Sequence, residues 1–161
     1  MARLPSLGPR GEGWVLVQGI LLVAVGAAGV NGLFNPGWTG APRVATTVAG
    51  LVLLTQGAVQ IRRGARDLGP NFTPLPRPVG DATLVEAGIY DRVRHPIYGG
   101  LIMAGLGWTL LASSPAGLVV AALLIPFLWL KSSVEEQWLE ERFPSYPDYR
   151  RRTRRFIAWL G

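Results

Sequence analysis

The stretch HPIYGGLIMAGLGWTLLASSPAGLVVAALLIPFLWLKSSVEE, residues 95–136, decides the fold. It opens on the single histidine of the chain and runs through apolar residues to Ser113-Ser114-Pro115. It then turns apolar again and closes on two glutamates. Ser-Ser-Pro marks a turn, and Pro96 suits a first helical position, where its missing N–H is not needed. The two apolar arms, Tyr98–Ala112 and Ala116–Leu130, hold 15 residues each. That is short for roughly 30 Å of hydrocarbon, and a re-entrant hairpin also fits. Full spans are favoured because both arms have room to grow. One reaches back to Arg94-His95-Pro96, and the other runs on through KSSVEEQWLEERF with no breaker before Pro144. This last helix should cover about 25 residues, with a kink at Pro126.

The arm lengths carry a geometric expectation. His95 lies 19 residues before Ser114, and Glu135 lies 20 residues after Pro115. At 1.5 Å per residue each arm is roughly 28–30 Å long. The hairpin therefore returns Glu135 and Glu136 to the depth at which His95 entered. The basic, aromatic segment YDRVRHPIYGG, residues 90–100, should meet the acidic pair in one pocket at the membrane boundary. Simpler readings stand beside this one. A histidine before a proline can be only a helix cap, loop arginines can be only topology signals, and Glu135, Glu136, Glu140 and Glu141 can be a solvated helix face.

Two further apolar segments precede the hairpin. Trp14–Val30 has one polar side chain, Gln18, and Val44–Ile61 has no charge but holds Gln56 and Gln60. The first could serve as a signal peptide behind Arg3 and Arg10, although it is long for one. Loop arginines set the orientation. Six lie in 62–97 (Arg62, Arg63, Arg66, Arg77, Arg92 and Arg94), while 31–43 carries only Arg43. Both termini and the 62–97 loop are thus expected on the cytoplasmic side. The expected fold is an all-α integral membrane protein of about four transmembrane helices with a C-terminal cytoplasmic helical segment. Residues 1–67 form two N-terminal spans, 68–97 a cytoplasmic connector, and 98–161 the hairpin and tail. LGPNFTPLPRP, residues 68–78, reads as extended, with no helix. Glycines 99, 100, 105 and 107 permit close helix packing.

Composition agrees. Of 161 residues, 49% are hydrophobic, and the net charge is +6. A basic balance suits nucleic acid or anionic membrane, and the apolar runs decide for membrane and against nucleic acid. The absence of cysteine excludes disulfides, zinc–thiolate sites and cysteine nucleophiles. No metal site is expected. Fifteen arginines to one lysine point to a GC-rich bacterial genome, and hence to a bacterial inner membrane.

GIYDRVRHPIYGG (88–100) followed by EEQWLEERFPSYPDYRRRTRRFIAWL (135–160) resembles the isoprenylcysteine carboxyl methyltransferase family, which is grouped with the phospholipid N-methyltransferases. The signature reads here as Arg94-His95-Pro96-Ile97-Tyr98-Gly99-Gly100, then Glu135-Glu136-Gln137-Trp138-Leu139, then Phe143, Tyr146 and Tyr149. The resemblance covers roughly residues 84–160, and the first two helices match nothing specific. Pro144 stands where a glycine is usual, Thr153-Arg154 where a Val-Pro pair is usual, and Ala158 replaces a later proline.

The resemblance implies S-adenosylmethionine as methyl donor at the cytoplasmic membrane face. Its binding residues would be Gly88, Tyr90, Arg94, His95, Pro96, Tyr98, Glu135 and Glu136. Arg94 suits the donor's carboxylate, and one of the two glutamates suits its ammonium or ribose hydroxyls. Tyr90 and Tyr98 offer stacking or phenol donors. Arg94 and Arg152 are the catalytic candidates, as holders of an anionic acceptor; an amine acceptor would need a base, His95 or Glu136. The acceptor is expected to be a lipophilic small molecule or membrane lipid entering sideways from the bilayer. An NADPH-dependent membrane sterol or enone reductase also resembles this hairpin, but two carboxylates are poor company for a 2′-phosphate. A catalytically inactive membrane scaffold is the other alternative.

Overall fold

The computed structural model describes residues 5–78 and 80–157, so Arg3 and Ala158, singled out above, lie outside the described residues. The described chain is helical: α1 (Glu12–Phe34), α2 (Gly40–Leu68), α3 (Pro96–Leu111), α4 (Pro115–Arg142) and the short α5 (Tyr146–Arg152). Two 3-10 turns, Gly69–Asn71 and Gly88–Asp91, punctuate the connector. The first falls in the segment expected to be wholly extended; Gly69 and Pro70 end α2 there by tightening its last turn.

α1, α2 and α4 are each long and apolar enough to cross a membrane, whereas α3 has 16 residues. All three long helices leave large apolar side chains uncovered, among them Ile20 and Val23 on α1, Val44 and Val52 on α2, and Val119 and Leu123 on α4. A water-soluble monomer rarely exposes such faces, whereas lipid covers them at no cost. The chain is an integral membrane protein.

Two boundaries differ from expectation. α1 runs further at both ends than Trp14–Val30, and α2 continues past Ile61 to Leu68. Arg62, Arg63 and Arg66 therefore sit on a helix and not in a loop. Arginine is a good helix former, and the isolated Gly64 is tolerated, so the helix runs on to Gly69-Pro70. The hairpin forms as its sequence dictates. Pro96 opens α3, and Ser114 caps α4 by accepting the Gly117 N–H at 3.0 Å. α4 ends at Arg142 because Pro144 disfavours helical backbone at Phe143.

α2 and α3 touch backbone to backbone. A Cβ placed on Gly57 would stand 2.6 Å from the Gly100 carbonyl oxygen, and one on Gly50 would stand 2.7 Å from that of Gly107. These pairs are seven residues apart on each helix, so both fall on one face. α1 closes the other side of the hairpin. The Trp108 indole donates to the Gly26 carbonyl at 3.3 Å, and the Ser114 hydroxyl donates to that of Ala28 at 2.8 Å. Val25, Ile102, Ala121, Leu124 and Leu128 form the core among these helices.

Gly57→Leu should lower stability in detergent by about 1–3 kcal/mol through overpacking. Gly26→Leu, whose Cβ meets nothing within 4 Å, should leave the thermal midpoint unchanged. Thermal unfolding followed by circular dichroism compares the two.

Candidate active site

The equal arms of the hairpin bring the start of α3 beside the end of α4. His95 Nε2 lies 3.1 Å from Glu136 Oε1, and Nδ1 lies 3.7 Å from Glu135 Oε2. The His95 ring stacks nearly parallel to Tyr98, with centroids 5.5 Å apart. The Tyr98 hydroxyl donates to Glu135 at 2.8 Å.

Glu136 is buried and surrounded by cations. Arg94 Nε donates to Oε1 at 2.6 Å, and Arg155 Nη2 donates to Oε2 at 2.9 Å. Arg150 Nε stands 3.5 Å away. Arg94 also donates to the Thr153 carbonyl at 2.5 Å. Arg155 further spans Trp129, lying 4.1 Å over its ring centroid, and donates to Ser133. A carboxylate so enclosed is held ionised and fixed in place.

The tail reaches this position through its backbone. Arg94 N–H donates to the Arg154 carbonyl, His95 N–H to that of Arg155, and Arg154 N–H to that of Arg92, each at 2.9 Å. The result is a short parallel bridge between Val93 and Arg154. The N–H that a proline at 154 would lack is in use here. Gln60 on α2 completes the clamp, donating to the Pro96 and Phe156 carbonyls at 2.9 and 2.6 Å.

A cavity of about 170 Å³ lies on one side of this cluster. Tyr90, Arg94, His95, Pro96, Tyr98 and Glu135 line it, together with Lys131, Tyr146, Tyr149 and residues of the connector from Phe72 to Val85. Glu136 does not line it; of the acidic pair, only Glu135 faces in. The Tyr146 hydroxyl is buried there without a hydrogen-bond partner among the described residues. Tyr149 donates to the Tyr90 carbonyl at 2.8 Å, and Tyr90 donates to that of Gly64. Burial pushes both phenols above their ordinary pKa, so both stay protonated donors. A second, more open cavity lies beyond the cluster, between Arg94, Trp129, Arg155 and Phe156.

Two expected site residues stand elsewhere. Gly88 lines neither cavity; its φ of +65° and a Cβ that would strike the Asp67 carboxylate make it a backbone requirement. Asp67 in turn accepts the Ile89 N–H at 2.9 Å. Arg152 pairs with Glu86, covers the Tyr149 ring, and also lines neither cavity. Arg94 borders both, with its Nε engaged by Glu136 and its Nη1 by Thr153. Sequence reasoning missed Arg155, which nothing local separates from its neighbours in RRRTRR. It also missed Lys131, whose signal was present: the only lysine in the chain, one helical turn before Glu135.

The phospholipid methyltransferase family model matches residues 45–145, more than half of the chain. The chain belongs to the phospholipid methyltransferase family. The match begins well before residue 84 and takes in all but the first turn of α2. α2 is the helix whose glycines seat α3. α1, α5 and Arg155 lie outside the matched residues. No curated protein matches the chain. Membership of the family makes the protein a membrane methyltransferase with lipid-like substrates.

Glu136→Ala would leave Arg94, His95 and Arg155 buried without their shared anion. It should cost about 3–5 kcal/mol, whereas Glu135→Gln at the cavity wall should cost under about 1 kcal/mol. Denaturant unfolding of the two variants in one detergent measures the difference.

Proposed function

We propose that the protein transfers a methyl group from S-adenosylmethionine to an amphiphilic acceptor at the cytoplasmic face of the membrane. The observation that carries this reading is the cavity wall itself. It offers a carboxylate at Glu135, aromatic faces at Tyr98 and His95, and an unsatisfied hydroxyl at Tyr146. A donor bearing an ammonium, ribose hydroxyls and an aromatic base meets all three. A buried hydroxyl left without a partner costs stability, so a polar ligand at Tyr146 would remove a penalty that the folded chain otherwise bears.

When bound, the donor supplies an electrophilic methyl group on a sulfonium. The chain contributes binding, orientation and exclusion of water. Glu135, held by Tyr98 and His95, is set to receive the donor's ammonium or ribose. Glu136 does not touch the ligand in this reading; it fixes Arg94 and His95 so that Pro96, Tyr98 and Tyr90 keep their places. The connector from Phe72 to Val85 covers the cavity and limits water, which strengthens every charged contact beneath it. Arg94, at the border of both cavities, remains the candidate for holding an acceptor anion. Arg152 acts from outside by tying Glu86 to α5.

Orientation rests on charge. Arg62, Arg63, Arg66, Arg92, Arg94, Arg142 and the tail arginines share one end of the bundle, and Arg43 stands at the other. The positive-inside rule puts the crowded end in the cytoplasm. α3, at about 24 Å of helix, together with its polar flanks, forms the fourth crossing, and the arginine-rich composition suits a bacterial inner membrane. The acceptor reaches the site from the lipid, because the α3–α4 hairpin offers it an apolar wall.

Purified protein in phospholipid nanodiscs, given methyl-tritiated S-adenosylmethionine, should move label into the organic extract. Label confined to water-soluble products would overturn the amphiphilic acceptor. In calorimetry, S-adenosylhomocysteine should bind the wild type and bind Glu135→Ala at least about tenfold more weakly. Equal affinities would remove Glu135 from the site.

A further inference from the structure

Lys131 is 1% exposed and lies on the apolar helix α4. Its ammonium donates to Gln18 Oε1 at 2.5 Å and to the Pro74 carbonyl at 3.1 Å, and it stands 5.1 Å over the Tyr98 ring. Both hydrogen-bond acceptors are neutral. Glu135, one turn further along, attracts the ammonium through space but forms no ion pair with it among the described residues; its carboxylate accepts from Tyr98 and stands 3.7 Å from His95. An ammonium has three N–H donors, and two are used here.

Burying a cation among neutral dipoles at membrane depth is expensive and marks a functional position by default. The other buried cations near the cavity differ in kind. Arg94 and Arg155 are both ion-paired with Glu136. Lys131 is the cavity-lining cation whose hydrogen bonds go to neutral groups. Gln18 helps to hold it there, and Gln18 belongs to α1, outside the family match.

We infer that Lys131, oriented by Gln18, forms a carboxylate-receiving site in the wall of the cavity, one helical turn deeper in the membrane than Glu135. Two ligands could present that group. One is the aminoacyl end of the donor, whose ammonium would then face Glu135 and whose carboxylate would face Lys131. The other is the head of an acidic amphiphile lying in the bilayer. The inference rests on the proposed methyl-transfer reading only for the first of these.

Calorimetry in detergent, with S-adenosylhomocysteine, palmitate and the uncharged hexadecanol as probes, tests it. If the donor supplies the carboxylate, Lys131→Met should weaken S-adenosylhomocysteine by roughly tenfold or more. If an acidic amphiphile supplies it, the wild type should prefer palmitate to hexadecanol by a similar factor, and Lys131→Met should abolish that preference. Gln18→Glu guards against a variant that fails to fold. It gives Lys131 a carboxylate from within the chain, so it should keep or raise the thermal midpoint while weakening the same probe. Unchanged affinity for S-adenosylhomocysteine together with no charge preference between palmitate and hexadecanol, in whichever variant folds, would overturn the site. A wild type that binds palmitate through Lys131 but ignores S-adenosylhomocysteine would instead overturn the methyl-donor reading and leave the site standing.

Discussion

A single buried carboxylate organises the arginine-rich end of the bundle. Glu136 sits where an uncompensated charge would cost several kcal/mol, and it is answered from three separate parts of the chain. Arg94 and His95 come from the start of α3, Arg155 from the tail, and Arg150 from α5. These segments also bury Val93, Tyr146 and Tyr149, so charge and packing together fix their order. The backbone bridge between Val93 and Arg154 then converts that electrostatic demand into a fixed register, so the residues on either side of it face defined directions.

The two glutamates are adjacent in sequence yet have different surroundings. Successive residues on a helix point about 100° apart. With Glu136 turned toward the tail, Glu135 is turned toward the cavity. One side chain is saturated with cations and holds the fold; its neighbour holds only Tyr98 and His95 and faces the cavity. The cluster thus divides the space at the membrane boundary into a covered cavity and an open one, with Arg94 on the border.

The hairpin was legible because it depends on counting. Arms of 19 and 20 residues between a turn and two polar markers can only return to the same depth, whatever packs around them. The rotation of α4 was not legible, since its apolar residues lie all round the helix and set no phase; this is why Glu135 and Glu136 could not be told apart. The extension of α2 through Arg62, Arg63 and Arg66 was hidden by treating charge as the end of a helix, when only Gly69-Pro70 ends it. Arg155 was hidden among like neighbours, and the partner of Lys131 lay more than a hundred residues away on α1, where no local pattern could point to it.

The covering of the cavity shows how such long-range contacts can be secure without being readable. Long cationic side chains hold the connector to the body by donating to its backbone carbonyls. Lys131 donates to Pro74, and Arg142 to Gly80 and Ala82. The Arg77 side chain on the connector in turn donates to Pro9. Asn71 accepts the Thr83 N–H and so draws the two ends of the segment together. A carbonyl accepts in the same way whatever side chain follows it, so these fastenings make almost no demand on the identity of the residues they hold. Prolines 74, 76 and 78 limit the shapes the segment can take, and the remaining side chains are left to face the cavity. The roof is therefore fixed by its backbone and specified by its side chains. Those two requirements seldom coincide in one loop, but here they are met by different atoms.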